Sequence, residues 1–154
     1  MSTVATTERP KVGVALFLLD PGGRFHLLCR QGSHGAGKWG LVGGHLEYGS
    51  NPRQTACEEA FEELGVTLDP AEVALGPYTN DVMADEGKHY VTLFASAWLP
   101  PGQVPFNKEP HKCSAFGTFG FDALPSPLFL PFENFVAQGV RPPFPAGTRG
   151  AGTG

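Results

Sequence analysis

GGHLEYGSNPRQTACEEAFEELGV, residues 43–66, places a glycine pair ahead of a densely acidic segment. Glu58, Glu59, Glu62 and Glu63 fall within six consecutive positions. If the segment is a helix, Glu58 faces Glu62 and Glu59 faces Glu63, and like charges at that spacing repel. The helix is well signed. Asn51 is a favoured N-cap, and Pro52 follows at the first helical position, where its missing N–H costs nothing. Gln54 stands where a capping box reaches back. Gly65 ends the helix as a C′ residue. Cys57, Ala60, Phe61 and Leu64 recur at i, i+3, i+4 and i+7, which predicts one buried stripe with the carboxylates beside it. An acidic face of this kind is either plain solvated surface or the seat of a cation. The glycine turn expected at Gly43-Gly44 favours the cation, and hard carboxylate oxygens select Mg²⁺ or Mn²⁺.

Outward from this segment the chain reads as alternating strands and loops. Lys11 to Leu19 is almost continuously apolar, as in a strand covered on both faces. Asp20-Pro21-Gly22-Gly23 is a turn, and Phe25 to Arg30 returns as the second arm of a hairpin. Gln31 to Lys38 is a glycine-rich loop, and Trp39 to Val42 a short strand. Val73 to Asp81 reads as irregular strand. Tyr90 to Leu99 is rich in β-branched and aromatic residues, and Phe116 to Phe121 is a further strand. Leu128 to Gln138 fits a short helix closed by Gly139. Strands on either side of a central helix predict an α/β sandwich around a mixed sheet.

The bulk numbers set bounds. A chain of 154 residues suits one domain with a real core. A net charge of −4 without a basic stripe argues against a nucleic acid duplex as partner. No apolar run approaches the roughly 18 residues of a membrane span, and residues 1–11 lack the plan of a signal peptide. Cys29, Cys57 and Cys113 are odd in number and widely spaced, which predicts reduced thiols and a cytoplasmic setting. Residues 1–10 read as a flexible N-terminus, 11–139 as the folded domain and 140–154, VRPPFPAGTRGAGTG, as a disordered tail.

Counting from Gly44, the residues Glu59, Glu62, Glu63, Gly65 and Val66 reproduce most of the Nudix box: Gly, five residues, Glu, seven residues, then Arg-Glu-apolar-any-Glu-Glu-any-Gly-apolar. GSHGAGKWGLVGGHLEYG (32–49), TND (79–81), GKHYVTLF (87–94) and EPHKC (109–113) extend the likeness over about residues 10–138. The chain thus resembles the Nudix hydrolase superfamily, and within it the branch that cleaves nucleoside triphosphates. That resemblance implies an α/β/α sandwich around a mixed β-sheet, Mg²⁺ or Mn²⁺ as cofactor, and a nucleotide or other small diphosphate as substrate. It implies metal ligands at Gly44, Glu59, Glu62 and Glu63, with the same three glutamates catalytic. Arg30, His34, Lys38, His89, Tyr90 and Phe116 become candidates for the substrate side. His45 is expected to support the turn, and a homodimer is a further expectation. Three positions depart from the pattern: Ser50 replaces Glu, Glu58 replaces Arg, and Val42 stands where Pro is frequent. Three readings follow: a nucleotide pyrophosphohydrolase, an enzyme of altered chemistry on the same scaffold, or a non-catalytic nucleotide-binding module.

Overall fold

The computed structural model describes residues 8–32 and 34–145. Its strands are β1 (Lys11–Leu19), β2 (Phe25–Arg30), β3 (Trp39–His45), β4 (Ala74–Met83), β5 (Lys88–Trp98) and β6 (Cys113–Phe119), with helices α1 (Pro52–Leu64) and α2 (Leu130–Gln138). Among the described residues the six strands form one sheet in the order β4-β5-β1-β3-β2-β6. β1 and β5 run parallel, and the remaining neighbours are antiparallel. The mixed sheet and its α/β class therefore match the sequence reading.

β1 is apolar throughout because both of its faces are covered. Val14, Leu16 and Leu18 meet Ala56, Ala60 and Leu64 of α1 in one core. Phe17 and Leu19 point the other way, into a second core with Phe132 and Phe135 of α2. Phe17 is the centre of that layer. Its ring lies 4.9 Å from Phe135 and 5.2 Å, edge-on, from Phe25, and such geometries add to simple area burial. The β1–β2 turn forms as expected, with Asp20 Oδ1 accepting from the N–H groups of Gly22 and Arg24, each at 2.9 Å. β2 then leaves β1 after the Leu19–Phe25 pair and aligns with β3 and β6.

Two expectations change. Gly43 and Gly44 are not a turn: β3 continues through them, opposite Ala15 and Val14. Close approach is the reason, since a Cβ on Gly43 would overlap the Val14 carbonyl. The folded domain also runs past Gly139, which caps α2 with φ 78°. Phe144 is buried in the α2-side core, and its N–H donates to Ser96 Oγ at 2.9 Å. Residues 140–145 of the expected tail are thus part of the described structure, and the rest of it, with the N-terminal expectation for residues 1–7, lies outside the described residues.

Phe144→Ala should lower unfolding free energy by about 3–5 kcal/mol, as for other buried phenylalanines, measured from the urea transition. A loss below about 1 kcal/mol would remove this segment from the core.

Candidate active site

Helix α1 forms for the local reasons expected. Asn51 Oδ1 accepts the Gln54 N–H at 2.9 Å, and Gly65 adopts φ 68°, returning its N–H to the last turn. Its buried side, however, is rotated from the expected stripe. Thr55, Ala56, Ala60 and Leu64 are buried, whereas Phe61 is 50% exposed, its ring beneath Lys108 Nζ at 3.5 Å. The rotation decides which acids matter. Glu59 and Glu63 turn inward beside the core, while Glu58 and Glu62 remain exposed at the rim of the same cleft.

The inward pair sits directly against β3. A Cβ on Gly44 would lie 2.5 Å from Glu59 Oε2, so the glycine lets that carboxylate rest directly against the strand. Glu63 Oε1 accepts a long hydrogen bond from the Gly43 N–H at 3.4 Å. Burial, the largest cause, pushes the Glu63 carboxyl well above its usual range, and hydrogen bonding to Glu59 pushes it further. Burial also raises Glu59, while the same hydrogen bond opposes that rise. Two neighbouring carboxylates deprived of water favour a positive partner. Among the described residues no three His, Cys, Asp or Glu side chains converge as a closed cage. The donors nonetheless fit Mg²⁺ or Mn²⁺, which take a few protein oxygens and complete their shell with water and phosphate. Glu59, Glu63 and the Gly44 carbonyl would hold such an ion, with Glu62 at the rim.

These groups form one end of a cleft of about 810 Å³, within the range of small-molecule sites. The far end is aromatic and basic. Arg30 stacks over the Phe129 ring at 4.0 Å, and its Nε donates to the His34 carbonyl at 3.1 Å. Burial pulls the Arg30 guanidinium below its ordinary value, opposed by Glu63, Tyr90 and Glu86. The His34 ring lies 5.3 Å from Phe129 and 5.9 Å from Tyr90. Burial lowers the His34 pKa, opposed by its hydrogen bond to Glu86, which accepts from Nδ1. His45 Nε2 and Tyr90 Oη are hydrogen-bonded at 2.8 Å, which ties β3 to β5 across the cleft floor.

Of the substrate-side candidates, Arg30, His34 and Tyr90 line the cleft. Lys38, His89 and Phe116 do not. Lys38 is exposed and contributes backbone hydrogen bonds that shape the 31–38 loop. His89 lies on the other face of β5 from Tyr90, because side chains alternate along a strand, and it bonds Asn80 at 2.6 Å. Phe116 packs against the α1-side core. Two residues were not singled out by sequence reasoning. Phe129 is brought in by its N–H donating to the Trp39 carbonyl at 2.8 Å, and it fills the space above Gly35 and Gly40. Glu109 lines the cleft and pushes both Glu59 and Glu63 upward; its place in EPHKC was its only signal.

A NUDIX domain model matches residues 9–138. The structure is similar to a MutT NUDIX hydrolase from Burkholderia pseudomallei, with TM-score 0.74 and 31% identity, covering 86% of this chain and 98% of that one. The NUDIX domain of Shewanella oneidensis NrtR, solved with ADP ribose, shares the fold at TM-score 0.68 and 18% identity, covering 86% and 87%. A putative 8-oxo-dGTP diphosphatase 3 of Mycobacterium tuberculosis is 37% identical over 79 residues, which is 50% of this chain and 36% of the relative. The chain thus matches little more than a third of that relative's length.

The raised carboxyls make a pH prediction. The folded state binds a proton that the unfolded state releases, so stability falls as pH rises through the window above the usual value of 4.5. Glu63→Gln should therefore raise the urea midpoint of chelator-treated protein at about pH 7.5, with the gain vanishing below about pH 4. An unchanged midpoint at neutral pH would show that Glu63 is not desolvated.

Proposed function

Because the chain belongs to the NUDIX family, we propose that it is a divalent-metal-dependent hydrolase. It would cleave the diphosphate bond of a nucleotide, either a nucleoside triphosphate or a nucleoside diphosphate linked to another group. The observation that carries this reading is the Glu59–Glu63 pair pressed against Gly44, in one cleft with Arg30, Tyr90 and Phe129. A protein of net charge −4 that meets a polyphosphate needs a cation between the two. A bound Mg²⁺ or Mn²⁺ would neutralise phosphate charge and acidify a bound water.

The chain's own residues supply the rest. Glu59 and Glu63 hold oxygen donors in a low-dielectric corner and can take the proton of an attacking water. Arg30, held over Phe129, offers a cation already positioned toward the substrate. Phe129 and His34 offer aromatic surface at that end of the cleft for a nucleobase. The reaction then needs position and electrostatics more than covalent chemistry. The relative described as a putative 8-oxo-dGTP diphosphatase makes purine nucleoside triphosphates the first class to test.

A second reading, altered chemistry on the same scaffold, rests on Ser50 and Glu58. Ser50 Oγ hydrogen-bonds Thr55 Oγ1 at 3.2 Å, so the loop is still fastened to the first turns of α1 without the usual acid. Glu58 is exposed at the rim, where water screens its charge. Both features leave the inner pair intact and favour the hydrolase.

Purified protein with Mg²⁺ or Mn²⁺ should release phosphate or pyrophosphate from a panel of nucleoside triphosphates and nucleoside diphosphate conjugates, and chelation should stop it. Glu59→Gln should cost on the order of 10²–10³ in kcat, whereas Glu58→Gln should stay within about 3-fold. Equal losses would place Glu58 among the metal ligands. Turnover of no panel member would favour the second reading.

A further inference from the structure

Residues 99–112 connect β5 to β6, and their middle part is laid across the C-terminal end of α1. A helix leaves its last carbonyls without partners of its own. The Phe106 N–H donates to the Leu64 carbonyl and the Lys108 N–H to the Glu63 carbonyl, each at 3.1 Å. Lys108 Nζ reaches the Phe61 carbonyl at 3.3 Å. Upstream, the Gln103 side chain pairs with both backbone groups of Thr67, each bond 2.8 Å. Downstream, Asn107 Nδ2 donates to the Cys113 carbonyl at 2.8 Å, which ties the segment to the start of β6.

Side chains alternate along an extended segment, and the alternation separates two faces. Phe106 and Lys108 are exposed on the outside, whereas Asn107 and Glu109 line the cleft with Glu59, Glu62 and Glu63. The register on α1 decides how far Glu109 is carried in, because the residue before it is bonded to the backbone of Glu63. Glu109 is near enough for its charge to act on both inner acids. It does not join them in a three-acid cage among the described residues. One contact keys this register. The Phe106 ring lies on Gly65, where a Cβ would overlap it. Gly65, at φ 68°, is the residue that ends α1, so ring, helix end and hydrogen bonds meet at one point.

We propose that Phe106 is a positioning residue for the metal site, an inference that rests on the metal-dependent reading above. Seated on Gly65, its ring fixes the β5–β6 connection on α1 and thereby the place of Glu109 opposite Glu59 and Glu63. A divalent ion held by the inner pair keeps part of its water shell. A third carboxylate facing that shell strengthens the hold without touching the ion, as outer partners of metal sites do.

Phe106→Ala should weaken Mn²⁺ binding about 10-fold, measured by titration of the full chain with Mn²⁺ alone. Phe61→Ala is the control. Phe61 is 50% exposed and Phe106 52%, and its loss leaves the Phe106 and Lys108 N–H bonds in place. It should keep Mn²⁺ affinity within about 2-fold of wild type. A change under about 3-fold in Phe106→Ala, or an equal weakening in both variants, overturns the inference. Coupling between two sites is reciprocal, which gives a second measure on the wild type should the variant not fold. Mg²⁺ should slow amide hydrogen exchange across residues 103–109, and exchange unchanged by the ion overturns the inference. A wild type that binds no Mn²⁺ overturns it as well. A wild type that binds Mn²⁺ and cleaves no diphosphate refutes the hydrolase reading alone.

Discussion

The structure depends on how closely α1 approaches β3. Gly43 and Gly44 have no side chains, so the strand backbone meets β1 on one side and the α1 carboxylates on the other without an intervening layer of atoms. That contact removes water from Glu59 and Glu63, and loss of water is the first cause of both raised carboxyls. A carboxylate pair in bulk water would lower its repulsion by hydration. Here the pair must find a proton or a metal ion instead. The two glycines thus do more than permit a bend. They leave ordinary helix acids without the water that would otherwise hydrate them.

The opposite wall of the cleft is built by the same device at another place. Gly35 and Gly40 leave room for Phe129, whose ring then supports Arg30 and meets His34. Phe129 is anchored by backbone pairing with Trp39 just before α2 begins. α2 is in turn held by Phe132 and Phe135 in the core around Phe17. The aromatic end of the cleft is therefore coupled to core packing on the α2 side, and the acidic end to packing on the α1 side. β1 and β3 lie between the two and fix their separation.

Much of this was legible along the chain. The caps Asn51 and Gly65 act within a few residues of the helix they bound, so their chemistry can be read locally. β1 announced its double coverage by having no polar face. What could not be read depended on contacts between distant segments. Phe61 looked like part of the α1 stripe by spacing alone, but three-residue and four-residue steps define two adjacent stripes, and the sheet buries the one through Ala56 and Ala60. His89 and Tyr90 are neighbours in sequence and opposites in space. Phe129 has no local signature at all, because the cavity it fills is made by glycines some 90 positions earlier. Phe106 escaped for a related reason: its contact exists only once the end of α1 brings Gly65 beneath the ring.

The departures at positions 50 and 58 are best understood through burial. An Arg–Glu pair beside the site would help to hold the helix acids in place. At the rim, such a pair contributes only a few tenths of a kcal/mol to about 1 kcal/mol, since water competes for both partners. The inner acids are held by other means: the Gly43 N–H on Glu63, the close fit of Glu59 to Gly44, and the Ser50–Thr55 hydroxyl contact that fastens the loop. Replacing Arg by Glu at an exposed position shifts the potential at the mouth of the cleft more than the geometry within it. That change opposes the approach of any anion, and opposes one partly neutralised by a divalent ion less strongly.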